Sequence, residues 1–481
     1  MFERLTYHGG MSVGRRDRGR GTAGHLPARA VAALSVARVA GHLSRLVGRG
    51  AGHALPGMVA GRLDPTLAGR LAGQLPGGVV LVTGTNGKTT TTMLLAAGLR
   101  AAGERVLTNP TGSNLRQGIL SAMLASCDAS GQVDGTVGVF EVDELTLPLV
   151  VAQVRPRLVV VLNLFRDQLD RHAELDMVAQ RLADGVRSAG TDVLLNADDP
   201  LVADLARRAG SQRAHFFGID VAAGVRSEPD AISDADRCPV CGRQLDYSTV
   251  FFAQMGHYRC PAGDFHRPEP TCELVSVEES AGAPTGFVAR IGAVEHAART
   301  ASPGTYSLYN SLAALAACAL MGADPAVAAQ AISVCSPAYG RGETITVAGR
   351  NIRLVLVKNP VGFAQVIDTF LRDDPGTPLL VGLNDAAADG RDTSWIWDIP
   401  MDSLAGRAGV IVCGTRTQDM VLRLKYADVQ AQACPDFDDA VEALVGKVAV
   451  GGTGYAMANY TAMLGLRRTM LDHPGAGREA A

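Results

Sequence analysis

The amino-acid sequence predicts an α/β protein with two parallel-sheet domains, the first of which carries a phosphate-binding loop and a small cysteine-rich insertion. Three observations support this prediction. Short apolar strands alternate with helices along most of the chain, which is the pattern of a parallel sheet covered on both faces. A glycine-rich segment, residues 84–90, follows the first such strand and opens a helix. Between residues 237 and 273 the pattern gives way to cysteine, proline, glycine and aromatic residues.

Each strand is predicted from a short apolar run, and each helix from apolar residues spaced three or four positions apart. The strands of the first domain are residues 79–83, 137–142, 158–164 and 193–196, and its helices include residues 93–102, 175–188 and 311–321. After Gly349 a second series of strands begins, at residues 352–357, 379–383, 410–413 and 448–451. We therefore expect a basic arm at 1–30, a central domain at 31–345 with its insertion at about 236–275, a C-terminal domain at 346–470 and a tail at 471–481.

Composition limits the classes of function. The chain has 481 residues, of which 47% are hydrophobic and 19% charged, with a formal net charge of −3. It can therefore form several cores but has no electrostatic signature for nucleic acid. Its longest apolar runs fall far short of the roughly 20 residues that a membrane-spanning helix needs. Residues 1–30 are rich in arginine and lack an apolar signal segment, which predicts a cytoplasmic protein with a loose basic arm.

Residues 31–47 predict an amphipathic helix near the N-terminus. Val39 and Leu43 fall on one face of this helix, while Arg38 and His42 fall mostly on the other. Such a helix either docks on the body of the protein or lies on a membrane surface. We take docking as the preferred interpretation.

The glycine-rich segment has the context of a nucleotide-binding loop. Backbone N–H groups in such a loop hold phosphates together with the N-terminus of the following helix. Its lysine is expected to reach the terminal phosphates, and the next residue to ligate magnesium. Glu141, at the end of a later strand, is a second magnesium candidate because this ion prefers oxygen donors. The residues predicted to bind ATP in this loop are Gly84, Thr85, Asn86, Gly87, Lys88, Thr89 and Thr90.

This loop resembles the ATP-binding loop of the Mur ligase and folylpolyglutamate synthase superfamily, and further segments match in the family's order. They are residues 140–144, 163–170, 196–200, Asn310 and residues 340–343. The resemblance implies that Glu141 binds magnesium, that residues 196–200 lie near the nucleotide, that Asn310 reads adenine and that Arg341 approaches the phosphates. The family usually carries a histidine where this chain has Gln168, so a second metal there would lack its usual ligand.

Two departures distinguish the chain from Mur ligases that add an amino acid. Those enzymes generally use a carbamoylated lysine in the central domain, yet no lysine occurs between Lys88 and Lys358. Residues 357–362 also stand where those enzymes carry an aspartate-tyrosine-alanine-histidine motif. Because of these departures, the cysteine-rich insertion and residues 389–398, the chain resembles the MurT family. Members of that family are the ligase subunits of lipid II isoglutaminyl synthases. The similarity covers about residues 30–470.

The resemblance implies a specific activity. The ligase subunit would use ATP to phosphorylate the α-carboxylate of D-glutamate in the lipid II stem peptide, and ammonia from a GatD-like glutaminase partner would attack the acyl phosphate. An aspartate of the C-terminal domain would complete the partner's Cys-His pair, and we assign this role to Asp392, with Asp389 as the alternative. Asp392 could instead only cap a helix beginning near Thr393. For Trp395 and Trp397, interface contact and core anchoring both stay open.

The cysteine-rich insertion resembles a zinc ribbon, whose paired thiolates form a tetrahedral site. The family has a second Cys-x-x-Cys pair, and Gly263 stands where its last cysteine would be. The fourth ligand is therefore open among Cys272, which a thiolate site favours, and the alternatives His266 and Asp264. A ribbon that folds without metal is the other interpretation. The preferred zinc ligands are Cys238, Cys241, Cys260 and Cys272.

Two rival functions stay open. A Mur or folylpolyglutamate-type ligase that adds an amino acid directly would need no glutaminase, and the missing lysine argues against it. An ATP-gated subunit that presents lipid II without chemistry is the other rival, and intact Lys88 and Glu141 argue against it. The preferred function predicts ATP, Mg²⁺ and zinc as cofactors, and a heterodimer that is peripheral to the inner membrane face when it meets lipid II. Residues 1–47 are candidates for that contact.

Overall fold

The computed structural model describes residues 26–46, 54–109, 113–167, 175–223, 233–278, 284–336, 341–372 and 374–476. Within these ranges the chain forms a nine-stranded sheet, a six-stranded sheet and a separate two-stranded hairpin. The two large sheets are mostly parallel, as the alternation of strands and helices predicts. Most of the basic arm, Gln168 and the last residues of the tail lie outside the described residues.

Three helices precede the first strand: α1 (Ala28–Leu46), α2 (Leu55–Leu63) and α3 (Leu67–Ala72). Helix α1 docks on the body, but the predicted face was wrong. Ala33 and Leu34 are buried, whereas Val39 is 58% exposed. Arg38 reaches the body and donates to the main-chain carbonyls of Cys127 and Asp128, the latter at 2.8 Å. The alanine-rich side packs inward because small side chains let α1 approach its neighbours closely.

The central region contains eleven strands among the residues that the structure describes. They are β1 (Val79–Thr83), β2 (Val106–Leu107), β3 (Val137–Glu141), β4 (Leu158–Val161), β5 (Asp192–Asn196), β6 (Ala214–Ile219), β7 (Asp246–Phe252), β8 (Met255–Arg259), β9 (Cys272–Glu278), β10 (Gly286–Ile291) and β11 (Val294–Arg299). The nine-stranded sheet has the order β11-β10-β9-β6-β5-β4-β1-β3-β2, and only β10 runs opposite to the other strands. Strands β7 and β8 form the separate hairpin. Because β3 and β4 flank β1, the loops after these three strands meet at one edge of the sheet.

Helices cover both faces of this sheet. They are α4 (Lys88–Ala101), α5 (Arg116–Ala125), α6 (Leu147–Val154), α7 (Leu175–Ala189), α8 (Pro200–Ala209), α9 (Thr305–Leu320) and α10 (Pro325–Ser333). Helices α5 to α8, with α1 to α3, enclose one apolar core, and α4, α9 and α10 enclose the core on the opposite face. The strand residues are apolar on both sides because both faces of the sheet are covered.

The second sheet contains β12 (Arg341–Val347), β13 (Arg350–Leu356), β14 (Leu379–Gly382), β15 (Val410–Cys413), β16 (Ala431–Ala433) and β17 (Thr453–Ala458). Its order is β12-β13-β17-β14-β15-β16, and only β12 is antiparallel. It packs against α11 (Pro360–Phe370), α12 (Thr417–Lys425), α13 (Phe437–Lys447) and α14 (Tyr460–Asp472). The predicted boundary between residues 345 and 346 falls inside β12, which pairs wholly within this second sheet.

The strand predicted at residues 448–451 was wrong. Val448 is the C-terminal cap of α13, and the strand of this region is β17, which begins at Thr453. Val441, Leu444 and Val448 are spaced three and four apart and are all buried, so Val448 continues the buried face of a helix that ends at Lys447. Among the residues that the structure describes, every helix is too short or too polar to span a bilayer.

Candidate active site

The predicted phosphate loop lies between β1 and α4, at the sheet edge where three strand ends meet. Gly84 and Gly87 adopt φ angles of 128° and 89°, in the region that favours glycine. A Cβ atom at Gly87 would lie 2.1 Å from the Asn310 side-chain oxygen, so this position requires glycine. Helix α4 begins at Lys88 and directs its N-terminal amides toward the loop. This geometry suits a bound phosphate chain.

Asn163, which follows β4, holds the loop in place. Its side-chain oxygen accepts from the Asn86 amide at 2.8 Å, and its side-chain amide donates to the Asn86 carbonyl at 3.0 Å. The Thr85 amide also donates to the Asn163 carbonyl at 3.0 Å. The loop is therefore fixed from the neighbouring strand before any ligand binds. Asn163 belongs to a segment that matches the family, but its role in holding the loop could not be predicted from the sequence.

Lys88 is buried inside its own loop. Its ammonium donates to the carbonyls of Gly84 at 2.5 Å and Thr85 at 3.2 Å, and lies 3.3 Å from both carboxylate oxygens of Glu144. Glu144, which the sequence analysis did not single out, thus balances the lysine charge. An entering phosphate would compete with Glu144 for the same ammonium, since both groups are anionic.

The two magnesium candidates lie in direct contact. The Thr89 hydroxyl donates to the Glu141 carboxylate at 2.5 Å. Asn109 clamps the main chain of Glu141 with two hydrogen bonds of 3.0 Å, one to its carbonyl and one from its amide. The hydroxyl and the carboxylate are hard oxygen donors, so the residues fit Mg²⁺. Asn109 is a supporting residue that the sequence analysis missed, because an isolated asparagine has no recognisable motif.

A cavity of about 450 Å³ opens beside the loop and extends to the second sheet. Asn310 lines it and lies against the loop, with its side-chain oxygen 3.3 Å from the Thr91 hydroxyl. Helix α9 begins at Thr305, several residues earlier than predicted, so Asn310 lies within the helix. The main chain of Arg341 begins β12, and its side chain lies outside the described residues. Other lining residues are Glu141, Asp143, Phe165, Phe252, Met255, Tyr309, Val357 and Asp389.

The segment at residues 196–200 is buried behind the cavity wall and contacts it through Tyr309. Asp198 accepts from Arg267 at 2.6 Å and from the Tyr309 hydroxyl at 2.7 Å. Asp199 caps α8 and accepts from the Leu164 amide at 2.8 Å. Burial raises the pKa of Asp199 to about 7, although backbone amides oppose the shift. The segment therefore connects the end of β5 to Arg267, to Tyr309 of α9 and to Leu164 after β4.

The second sheet contacts the loop through residues at the start of α11. The side-chain amides of Asn86 and Asn359 form a reciprocal pair with distances of 3.2 and 3.0 Å. Asn359 also caps α11 by accepting from the Gly362 amide at 2.8 Å, and Lys358 forms an ion pair with Asp167. An asparagine just before Pro360 is a recognisable helix start, but its contact with the loop could not be read from the sequence.

Arg166 joins three parts of the molecule. It follows β4, forms an ion pair at 2.5 Å with Asp234, which immediately precedes the insertion, and lies 3.4 Å from Asp398. Asp398 ends the 3₁₀ turn Ser394–Asp398. Arg166 therefore bridges the loop edge, the segment before the insertion and the turn of the C-terminal region.

The two candidate aspartates of the C-terminal region differ in environment. Asp389 is buried and accepts from the amide and the hydroxyl of Thr461 at 2.8 and 2.5 Å. Burial raises the pKa of Asp389. Asp392 is more accessible and accepts from the Ser394 amide at 2.8 Å, a bond that lowers its pKa. Asp392 therefore stabilises the start of the following turn through Ser394.

One tryptophan of this turn faces inward and the other outward. Trp395 is buried in the core of the second sheet, whereas Trp397 is 47% exposed. The Trp397 ring lies 5.5 Å from that of Tyr426, edge to face. Core anchoring thus holds for Trp395, and the interface interpretation stays open for Trp397.

The cysteine-rich insertion brings three thiols and a carboxylate together. One ligand atom from each of Cys238, Cys241, Cys260 and Asp264 lies within 4.8 Å of the others. This donor set fits a tetrahedral zinc site. The choice of Cys272 as fourth ligand was wrong, because Cys272 starts β9 and is buried in the sheet core. Asp264, one of the alternatives, takes that place next to Gly263.

Comparison with known proteins first defines the class. The family model for the Mur ligase middle domain matches residues 82–254, and that for the MurT ligase C-terminal domain matches residues 356–463. A pseudomurein peptide ligase type C from Methanothermus fervidus shares the fold with a TM-score of 0.66, at 21% identity over 82% of this chain and 78% of that chain. The chain therefore has the Mur ligase fold, with a Mur ligase middle domain at residues 82–254.

Two relatives narrow the class further. The MurT subunit of lipid II isoglutaminyl synthase (glutamine-hydrolyzing) from Staphylococcus aureus strain COL is 31% identical over 90% of this chain and 95% of its own length. The subunit of the same name from Streptococcus pneumoniae strain ATCC BAA-255 / R6 is 32% identical over 89% of this chain and 94% of its own length. The chain belongs to the MurT family.

Proposed function

We propose that this chain is the ligase subunit of a lipid II isoglutaminyl synthase. It would use ATP to activate the α-carboxylate of D-isoglutamate in the lipid II stem peptide, and ammonia from a GatD-like glutaminase would convert that carboxylate to the amide. The names of the two relatives support the substrate and the presence of a partner subunit. The chemistry is supported by the arrangement of Lys88, Thr89 and Glu141 at the phosphate loop.

The observation that carries the proposal is the contact between Thr89 and Glu141 beside the buried Lys88. The loop and Lys88 would hold the phosphates of ATP, and Mg²⁺ on Thr89 and Glu141 would supply charge neutralisation. A substrate carboxylate oxygen attacks the γ-phosphorus, and ADP leaves. Ammonia then attacks the carbonyl carbon of the acyl phosphate, and inorganic phosphate leaves. Positioning and electrostatics suffice for both steps.

The sequence favours ammonia over an amino acid as the acceptor. No lysine lies between Lys88 and Lys358, so the carbamoylated lysine of amino-acid-adding relatives is missing. Lys358 and Asn359, in the segment that replaces their acceptor motif, contact Asp167 and Asn86 in the central region. These side chains would therefore close the C-terminal region over the loop and exclude water from the acyl phosphate.

Asp392 is our choice for the carboxylate that serves the partner's Cys-His pair. One of its oxygens is held by Ser394, and its lowered pKa keeps it ionised at neutral pH. An ionised carboxylate can orient an imidazole and stabilise its cationic form. Asp389 is less suited to contact a partner because both of its oxygens accept from Thr461. It would instead support the wall of the cavity that it lines.

The cluster of Cys238, Cys241, Cys260 and Asp264 would hold zinc as a structural ion. Its four donors leave no open position for a substrate, which is the pattern of structural rather than catalytic zinc. The insertion would thus gain its folded form from the metal. The lipid-linked substrate would be met at the inner face of the membrane by a protein that is peripheral to it.

The decisive experiment supplies lipid II and MgATP to the purified chain, either with ammonium alone or with glutamine and a co-expressed glutaminase. We expect a product with NH₂ in place of a carboxyl OH by mass spectrometry, with glutamine only when the partner is present. An amino-acid adduct that forms without glutaminase would favour the amino-acid-adding rival. ATP binding without any covalent change to lipid II would favour the presenting subunit.

A further inference from the structure

The insertion contributes a wall to the cavity as well as a metal site. The hairpin of β7 and β8 ends in a tip whose Phe252 and Met255 line the cavity. The Phe252 ring lies 5.8 Å from Tyr309, edge to face, and 6.1 Å from Phe165. Gln254 fixes the tip by donating to the Leu164 carbonyl at 2.8 Å. Aromatic and apolar side chains from three elements thus converge beside the phosphate loop.

The strand order gives the cavity two chemically different sides. Strand β3 flanks β1 on one side, and the carboxylates of Glu141, Asp143 and Glu144 follow it. Strands β4, β5 and β6 lie on the other side, and Phe165 follows β4. The hairpin packs on this second side, because the Gly256 amide donates to the Asp198 carbonyl after β5 at 2.9 Å. Glu141, Asp143 and Glu144 therefore lie across the loop from the aromatic groups, and the Asp167 carboxylate on the aromatic side is paired with Lys358.

We propose that Phe252 and Met255 form the wall against which the purine ring of the nucleotide packs. The inference rests on the proposed binding of ATP at the loop and adds where its base lies. A neutral flat ring gains from contact with aromatic faces and loses little by leaving water. The acidic side instead suits the metal and the reacting phosphate. Asn310 lines the same cavity, and its side-chain oxygen lies against the loop near Gly87 and Thr91.

The hairpin is held in position through the cysteine cluster. Tyr258 of β8 stacks on Phe265 at 5.5 Å, and the amide of Cys260 donates to the Phe265 carbonyl at 2.7 Å. The Arg267 amide donates to the Tyr258 carbonyl at 3.0 Å, and the Arg267 side chain binds Asp198. An intact cluster would therefore set the affinity for the base without touching the phosphates.

The test compares two ligands and two adjacent phenylalanines. Binding of ATP and of inorganic tripolyphosphate to the full chain is measured by calorimetry for the wild type, Phe252→Leu and Phe251→Leu. Phe251 is the matched control because it is equally buried in the same strand but does not line the cavity. We expect Phe252→Leu to raise the dissociation constant for ATP about tenfold and to leave that for tripolyphosphate unchanged. Phe251→Leu should change neither.

Each result is informative. Wild-type affinity for ATP in Phe252→Leu, or an equal loss for both ligands, overturns the proposal, because a base wall acts on the base alone. A second measurement does not depend on a variant that folds: 8-azido-ATP is photolysed on the wild-type chain and the labelled peptide is sequenced. Label at residues 251–255 supports the wall, and label on the side of Glu141 overturns it. Absence of ATP binding at the loop looks different, since the wild type would then bind neither ligand, and failure of the ligase reaction appears in the amidation assay instead.

Discussion

At the scale of single residues, the phosphate loop is prepared for an anion before one arrives. The Lys88 ammonium is paired with the Glu144 carboxylate and hydrogen-bonded to two loop carbonyls, so it is buried in the loop and not exposed to solvent. Binding of a phosphate needs only an exchange of partners at the ammonium. The nearby Thr89 hydroxyl is hydrogen-bonded to Glu141, and both oxygens would become ligands when a metal binds. Local rearrangement on binding should therefore be small.

Lys88→Ala should abolish activation of the substrate while leaving the fold intact. We expect the rate of acyl phosphate formation to fall at least about 100-fold, because a positioned charge at the transferring phosphoryl group is lost. Hydroxylamine trapping of the acyl phosphate measures this step directly. Lys425→Ala is the matched control, since Lys425 lies exposed at the end of α12. Equal rates in the two variants would remove Lys88 from the mechanism.

The two C-terminal aspartates can be separated by the source of nitrogen. Asp392→Asn should lower glutamine-dependent amidation by at least about 100-fold, because an amide cannot stabilise a cationic imidazole, while ammonium-dependent amidation persists. Asp389→Asn should lower both activities and the melting temperature, because its bonds to Thr461 are buried. Assays with each nitrogen source and a thermal melt distinguish them. Loss of ammonium-dependent activity in Asp392→Asn would place that residue in this chain's own site instead.

At the scale of elements, the strands near the loop were predictable and the insertion only in part. A strand such as β1 is covered on both faces, so its apolar run appears directly in the sequence. The run near Val448 was read as a strand because a short apolar run does not distinguish a strand from the end of a helix. Cys272 was chosen for its chemistry, but the fold places that thiol in the sheet core. The spacing of the cysteines in the sequence could not show that Cys272 lies in the sheet core.

The revised ligand set makes a prediction about metal content. Asp264→Ala and Cys241→Ser should each lose zinc to a chelator that leaves the wild type loaded, because three donors hold the ion less tightly than four. Cys272→Ala should keep its zinc and lose only about 1 kcal/mol of stability from poorer packing. Elemental analysis after dialysis gives the metal content of each variant. Zinc loss confined to Cys272→Ala would restore the original assignment.

At the scale of the whole molecule, two sheets meet over one loop. The contacts between them include Val361 of α11, which is packed in the apolar core of the central region, and the reciprocal pair of Asn86 and Asn359, which touches the phosphate loop directly. No sequence pattern connects two asparagines that lie 273 positions apart. Sequence reasoning could therefore predict both domains but not the contact that joins them.

Asn359→Asp tests this contact while keeping the helix cap. The aspartate can still accept from the Gly362 amide but cannot donate to the Asn86 side chain. We expect a rise in KM for ATP corresponding to about 1 kcal/mol, and a double-mutant cycle with Asn86→Ala should show coupling between the two positions. Additive effects in that cycle would mean that the pair does not act as a unit. Asn351→Asp, in β13 of the same sheet, is the control.

The three-way contact of Arg166 has a consequence for how the chain works with a second protein. One guanidinium touches Asp234, just before the insertion, and the turn after Asp392 through Asp398. A protein that docks beside that turn would change the affinity for nucleotide if the displacement of this contact were transmitted through Arg166 to the neighbouring cavity residues Phe165 and Asp167. Thermodynamic reciprocity then requires nucleotide to change the affinity for that protein by the same factor. In that case a higher ATP concentration would shift the assembly of the complex, and assembly would shift the binding of ATP.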